Sequence, residues 1–180
     1  MKLLRTIRLD PSDTFVFNRA AEPGEWAVSG AFMFWNDDAG ALEGKALVTF
    51  RSGFLGVDTF GWSTLVQIVE ATEDDRRAAV QTLADGLAGQ LGAPNREAAR
   101  AAAEEELAFA ASLCEHPVDT LIAVHRRYEE GEIREAFRSL RAKPGEGRSL
   151  RALSFLVDED AGEGPAESVD LVALARENAK

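Results

Sequence analysis

The stretch from Thr120 to Leu140 limits the fold more than any other part of the chain. Thr120–Tyr128 and Glu132–Leu140 are two extended runs flanking the dipeptide Glu130-Gly131. A two-residue loop at that dipeptide sets Tyr128 opposite Ile133, Arg126 opposite Glu135 and Val124 opposite Phe137. Each is a favourable cross-strand couple, worth about 0.2–1 kcal/mol. The content of Glu, Arg and Ala also allows a helix here, but the mutual agreement of the three pairs favours an antiparallel hairpin. Glu-Gly is a weaker hairpin turn than Asn-Gly, so a slip by one residue stays open.

The other elements follow from periodicity and punctuation. Lys2–Leu9 reads as an opening strand, followed by turn chemistry at Asp10-Pro11-Ser12-Asp13. Thr14–Phe17 reads as a second strand, and Trp26–Val28 and Ala31–Trp35 as extended segments, on their β-branched and aromatic content. Ala41–Arg51 reads as a short helix ended by Gly53, although Leu47–Phe50 also suits a strand. Trp62–Glu70 is the clearest strand, and its apolar residues on both faces predict cover on both sides.

Thr72 then opens a helix, with Glu73, Asp74 and Asp75 at the positive end of its dipole. Val80, Leu83, Leu87 and Leu91 mark its apolar face, Gly92 closes it and Pro94 opens the next helix. Ala99, Ala103, Leu107, Ala110 and Cys114 stripe that second helix with small residues that permit close approach. Further on, Lys143–Gly147 reads as a loop and Ala152–Val157 as a strand. Asp158–Glu167 reads as an acidic solvated loop, and Ser168 as the cap of a last helix. The expected architecture is α+β: a mostly antiparallel sheet, with a mixed one still open, packed on an antiparallel helix pair within a single domain spanning 1–180.

Charge and composition narrow the function classes. With 31 acidic and 20 basic residues, the net charge is −11, which disfavours a nucleic-acid partner. No window approaches the roughly 20 apolar residues of a membrane span. Arginines interrupt the opening apolar run, which argues against a signal peptide, and the single Cys114 has no disulfide partner. A soluble cytoplasmic protein is expected.

Several stretches together resemble a family. They are Met1–Arg8, Phe50–Gly56, Phe60–Val66, Glu104–Cys114 and Val169–Leu174. They resemble an uncharacterised bacterial (proteobacterial) family of unknown function. The resemblance implies genes often encoded near those of formate-dehydrogenase-type molybdenum and iron–sulfur oxidoreductases. The resemblance implies an accessory role beside such a redox enzyme and carries over no catalytic residue.

No phosphate-binding glycine loop, dinucleotide fingerprint, zinc motif or nucleophile elbow is present. Cys114-Glu115-His116 sets a thiol near an imidazole, yet a buried structural cysteine beside a helix-terminal histidine is the plainer reading. Glu104, Glu105 and Glu106 point about 100° apart on a helix and read as a solvated face. His125 reads as a structural histidine on the hairpin face opposite Val124 and Phe137. The aromatics Phe32, Phe34, Trp35, Phe60 and Trp62 read as core.

The best candidate for a ligand site is Arg51, Ser52, Gly53, Ser63 and Thr64. There Gly53, Gly56 and Gly61 free main-chain amides to cradle an anion or a carboxylate beside one guanidinium. In the plainer alternative, Gly53 caps a helix and the aromatics plug the loop into the core. No cofactor and no metal are expected. Two functions stay open: a non-catalytic protein that contacts another protein, and a small-ligand binder or enzyme using the 51–64 segment.

Overall fold

A computed structural model describes residues 1–142 and 155–157. The strands are β1 (Lys2–Ile7), β2 (Trp26–Val28), β3 (Phe54–Gly56), β4 (Trp62–Ser63), β5 (Leu65–Glu70), β6 (Leu121–Glu129), β7 (Glu132–Ala142) and β8 (Phe155–Val157). The helices are α1 (Ser12–Val16), α2 (Gly44–Ser52), α3 (Glu73–Gln90) and α4 (Arg96–Ser112). All eight strands form one antiparallel sheet, in the order β4-β3-β2-β1-β5-β6-β7-β8. The α+β expectation therefore holds: the described strand pairs are all antiparallel, and one isolated bridge, Ala20 to Trp62, is parallel.

Only Thr64 separates β4 from β5. The strand expected over Trp62–Glu70 is thus real but bent, its first part pairing with β3 and its second with β1. Since β1 also pairs with β2, and β2 with β3, these strands curl into a ring. Leu3, Leu4, Val28, Phe54, Leu55, Val66 and Ile68 of these strands are all buried, so both faces of the curl are covered.

The helix pair forms as its punctuation dictates. Thr72 and Asp75 close a reciprocal capping box at the start of α3. Val80, Leu83 and Leu87 are buried on one face, each contributing about 1.5–3 kcal/mol. Leu91 is exposed at the C-cap. Asn95, not Pro94, caps α4, its side chain accepting from the Ala98 N–H. The small-residue stripe Ala99, Ala103, Leu107 and Ala110 is buried, and Cys114 follows in a 3-10 turn. Among the described residues, no helix is long and apolar enough to cross a membrane.

The β6–β7 hairpin has the expected register, with Tyr128↔Ile133, Arg126↔Glu135 and Val124↔Phe137. Glu130 and Gly131 take φ values of 54 and 86°, a turn matched to the twist of the strands.

Two expected strands are corrected. Thr14–Phe17 is no strand: Ser12–Val16 forms α1, because Asp10 Oδ1 accepts from the Ser12 N–H and Thr14 Oγ1 donates to the Pro11 carbonyl. These local bonds wind the chain into a helical turn before any strand partner is met. Ala31–Trp35 is likewise not extended: Ala31–Phe34 is a 3-10 turn, entered through Gly30 at φ 79°. Ala41–Arg51 is helical over α2, and Gly53 is its C-cap. The expected loops at 143–147 and 158–167, the helix after Ser168 and residues 152–154 of the last strand lie outside the described residues.

Candidate functional site

Two carboxylates of this chain are bonded by residues of the segment from Arg51 to Thr64. The first is the buried Glu25, just ahead of β2. Its Oε2 accepts from the Asp58 and Thr59 N–H groups at 3.0 and 2.9 Å. Its Oε1 accepts from Thr59 Oγ1 and the Glu22 N–H. Gly56 is required by this approach, because a Cβ there would run into the Glu25 carboxylate and Ala21. Burial, with the nearby Glu25 charge, raises the pKa of Asp58.

The second carboxylate is Asp13 on α1. Thr64 Oγ1 donates to Asp13 Oδ1 at 2.6 Å, while Ser63 Oγ lies 3.3 Å from Oδ2. Ser63 Oγ also contacts the carbonyls of Ile7 and Leu65. The hydroxyls of Ser63 and Thr64 therefore pin α1 against the bend between β4 and β5. Ser52 Oγ bonds back to the Val48 carbonyl, and Arg51 is exposed at the end of α2. The five candidate residues thus fall into separate environments: Ser63 and Thr64 at Asp13, Gly53 beneath β6, and Arg51 and Ser52 at the α2 terminus.

The guanidinium that reaches this region is that of Arg126, fully buried at 0% exposure. Its Nη1 donates to the Phe50 and Gly53 carbonyls at 3.0 and 2.7 Å, closing the end of α2. Its Nη2 donates to the Ser29 carbonyl, and its Nε donates to Glu135 Oε1 at 2.7 Å. The Ser29 hydroxyl also donates to Glu135. Burial lowers the Arg126 pKa, and the Glu135 charge opposes that.

Glu106 corrects the expectation of a uniformly solvated glutamate run. Glu104 pairs with Arg100 at 2.9 Å on the surface and Glu105 is exposed, but Glu106 is half-buried towards Glu135 and Arg126. Burial, reinforced by Glu135, pushes it up to about 7, against the pull of Arg126.

Near the end of α4, a cleft of about 170 Å³ is lined by Ser112, Leu113, His116, Ile122, Phe137 and Ser139 together with Glu115. The neighbouring thiol is no nucleophile: Cys114 Sγ donates to the Ala110 carbonyl, and burial pushes the thiol up to about 11. Among the described residues, no three His, Cys, Asp or Glu side chains gather as a metal site.

The aromatic expectation divides. Phe34, Phe60 and Trp62 are buried and Phe32 is half-buried, but Trp35 is 75% exposed and Phe15 on α1 is 69% exposed. Both flank α2. Its Phe50 holds Phe34 edge-to-face at 5.3 Å, fixing the turn that carries Trp35, and α1 packs on α2 directly. Val48 on α2 and Leu9 before α1 are also exposed. The aromatic content that marks a core equally marks a surface, and no local signal separates the two.

A family model described as a family of unknown function (DUF6505) matches residues 1–153. No curated protein and no solved structure matches the chain.

Proposed function

As the chain belongs to DUF6505, a family of unknown function with no activity to transfer, we propose from its own surface that it is a non-catalytic binding protein. It contacts another protein through the aromatic face around α2. The observation that carries this reading is the exposure of Trp35 and Phe15 on the elements that pack on α2, with Val48 on α2 and Leu9 before α1 exposed as well. Single exposed apolar residues are ordinary, but large aromatics are what protein interfaces concentrate and what their binding energy depends on.

Asp37 and Asp38, which follow Trp35 in the chain, and Glu43 at the start of α2 are exposed, so the favoured partner presents an apolar pocket with a basic rim. The net charge of −11 weighs against nucleic acid. A formate-dehydrogenase-type oxidoreductase in a bacterial cytoplasm, which the resemblance implies, is the first partner to test. In this reading the chain is an accessory to that enzyme.

The experiment is a tagged pull-down from the native host with the natural chain and with the Phe15→Ser/Trp35→Ala double variant. The expected result is a stoichiometric partner with the natural chain that is lost with the variant, at an unchanged melting temperature. Equal recovery by both forms overturns the reading.

A further inference from the structure

On the β6–β7 hairpin, Val124 and Arg126 are buried, so the alternate residues share the outer face. That face carries Arg127 directly opposite Arg134, His125 opposite Ala136, and Ala123 opposite Arg138. Arg127, Arg134 and Arg138 are exposed, as is Arg51 at the end of α2. Strand β6 packs against α2, and the Arg51 charge acts on His125 together with those of Arg127 and Arg138. Four guanidiniums thus gather around His125 and Ala136, in a chain whose net charge is −11. Burial lowers the pKa of His125 and the three arginines lower it further, so its imidazole is neutral at pH 7.

The cluster is poorly neutralised from within. Like charges directly opposite each other on a sheet are destabilising, and Arg127 faces Arg134. Arg127 reaches Glu129 at 3.9 Å, and Arg134 reaches Glu129 and Glu130 at 3.7 and 3.6 Å. These pairs near the hairpin tip are long and exposed, so a competing carboxylate displaces them readily. Arg51 and Arg138 form no ion pair among the described residues.

The spacing of the charges selects the anion. Arg134 and Arg138 stand four residues apart on β7, about 13 Å at roughly 3.3 Å per residue. A single phosphate or carboxylate cannot bridge that span. An extended peptide can, because its alternate side chains lie on one face at the same pitch. Arginine forks take carboxylates in paired bonds. A nucleic-acid duplex has the span but continues past the face to the acidic remainder of the chain. A short acidic segment does not: the Debye length is about 8 Å at physiological salt, so the segment meets the arginines and is screened from the net charge.

We propose that the outer face of the hairpin binds an extended acidic segment of another protein, whose alternate Asp or Glu side chains are taken by Arg127, Arg134, Arg138 and Arg51. This contact uses none of Phe15, Trp35, Val48 or Leu9, so it stands or falls apart from the aromatic face around α2.

The test titrates the full chain with a capped peptide of alternating Glu and Thr, followed through the arginine Nε–H and histidine ring signals in NMR. The expected result is a saturable shift at Arg127, Arg134 and Arg138 that weakens as salt is raised. The pKa of His125 should rise on binding, because a carboxylate beside it favours the charged form. Arg127→Gln/Arg138→Gln should weaken binding at least about tenfold through the lost charged hydrogen bonds. It should not lower the melting temperature, since repulsion is relieved. Arg77→Gln/Arg100→Gln removes the same charge from exposed sites on α3 and α4 and should leave binding unchanged, as should Phe15→Ser/Trp35→Ala.

No saturable shift overturns the proposal. So does equal weakening by the α3–α4 variant, because the effect is then one of net charge. Inorganic phosphate that gives the same shifts at the same concentration assigns the face to a small anion and overturns it. A duplex oligonucleotide that binds more tightly than the peptide overturns it in favour of nucleic acid. Arginine signals that shift with the concentration of the chain alone overturn it in favour of a second copy.

Discussion

Arg126 and Glu135 stand directly opposite each other across the β6–β7 hairpin, joined by a 2.7 Å bond from Nε to Oε1 beneath α2. The same guanidinium closes the carbonyl end of α2 at Phe50 and Gly53 and reaches Ser29 beyond β2. One side chain thus ties hairpin, helix and ring together. Arg126→Met leaves the Glu135 charge without its counter-charge and three carbonyls without this donor, so it should cost about 3–5 kcal/mol in urea unfolding. Arg126→Met/Glu135→Leu should recover part of that loss. A cost below about 1 kcal/mol for the single variant contradicts this account.

Glu106 gives a pH dependence of definite sign. Its folded pKa is raised from the ordinary 4.5 to about 7, so the folded chain holds a proton that the unfolded chain has released between those values. Its contribution is therefore complete below about pH 4.5 and is lost as pH rises to about 7. At about 1.4 kcal/mol per unit, trimmed by partial exposure, Glu106→Gln should stabilise the fold by about 1–3 kcal/mol at pH 8. The gain should shrink towards zero at pH 4.5. Denaturant unfolding at both pH values measures it, and an equal effect at both counts against the cause given.

Cys114 should resist alkylation. With its thiol pushed up to about 11, roughly 0.1% is thiolate at pH 8, and the sulfur is buried besides. Iodoacetamide labelling of the folded chain should be at least ~100-fold slower than in urea. Comparable rates would mean that the end of α4 opens freely.

Gly86→Ala sets helix propensity against packing. Alanine gains about 1 kcal/mol in a helix interior. Here its Cβ would overlap the Phe60 ring, which is buried and whose backbone holds φ 54°. Overpacking of that kind costs about 1–3 kcal/mol, so thermal melting should show net destabilisation. A raised melting temperature would mean that Phe60 yields.

What the sequence discloses and what it hides divide along contact range. The hairpin register was legible because one turn and three pairs of neighbours must agree, and the α3–α4 pair because Thr72, the break at Gly92 and Pro94 and the small-residue stripe act locally. Arg126 could be placed opposite Glu135, but its burial depends on α2, more than seventy residues earlier. The sequence suggested amides freed by Gly53, Gly56 and Gly61, whereas the amides that hold Glu25 are those of Asp58 and Thr59, and the Gly56 N–H is taken by the Gly61 carbonyl. The carboxylates themselves were not legible, since Glu25 and Asp13 arrive from other elements. Glu106 and Trp35 were misjudged for one reason: burial of a helix face or turn depends on what packs over it. The α1 turn was missed where a two-residue side-chain bond at Asp10 outweighed the strand propensity of Thr14–Phe17.

The single residue between β4 and β5 also sets an order of events during folding. The β6–β7 hairpin closes across Glu130-Gly131, a local search completed in microseconds in comparable hairpins. The ring cannot close until β1 meets β5, whose paired residues Ile7 and Leu65 are separated by the whole of β2, β3 and β4. That closure carries the larger loop entropy and depends on non-local contacts. Refolding followed by pulsed hydrogen exchange should therefore protect the amides of β6 and β7 before those of β1, although β1 lies at the centre of the finished sheet.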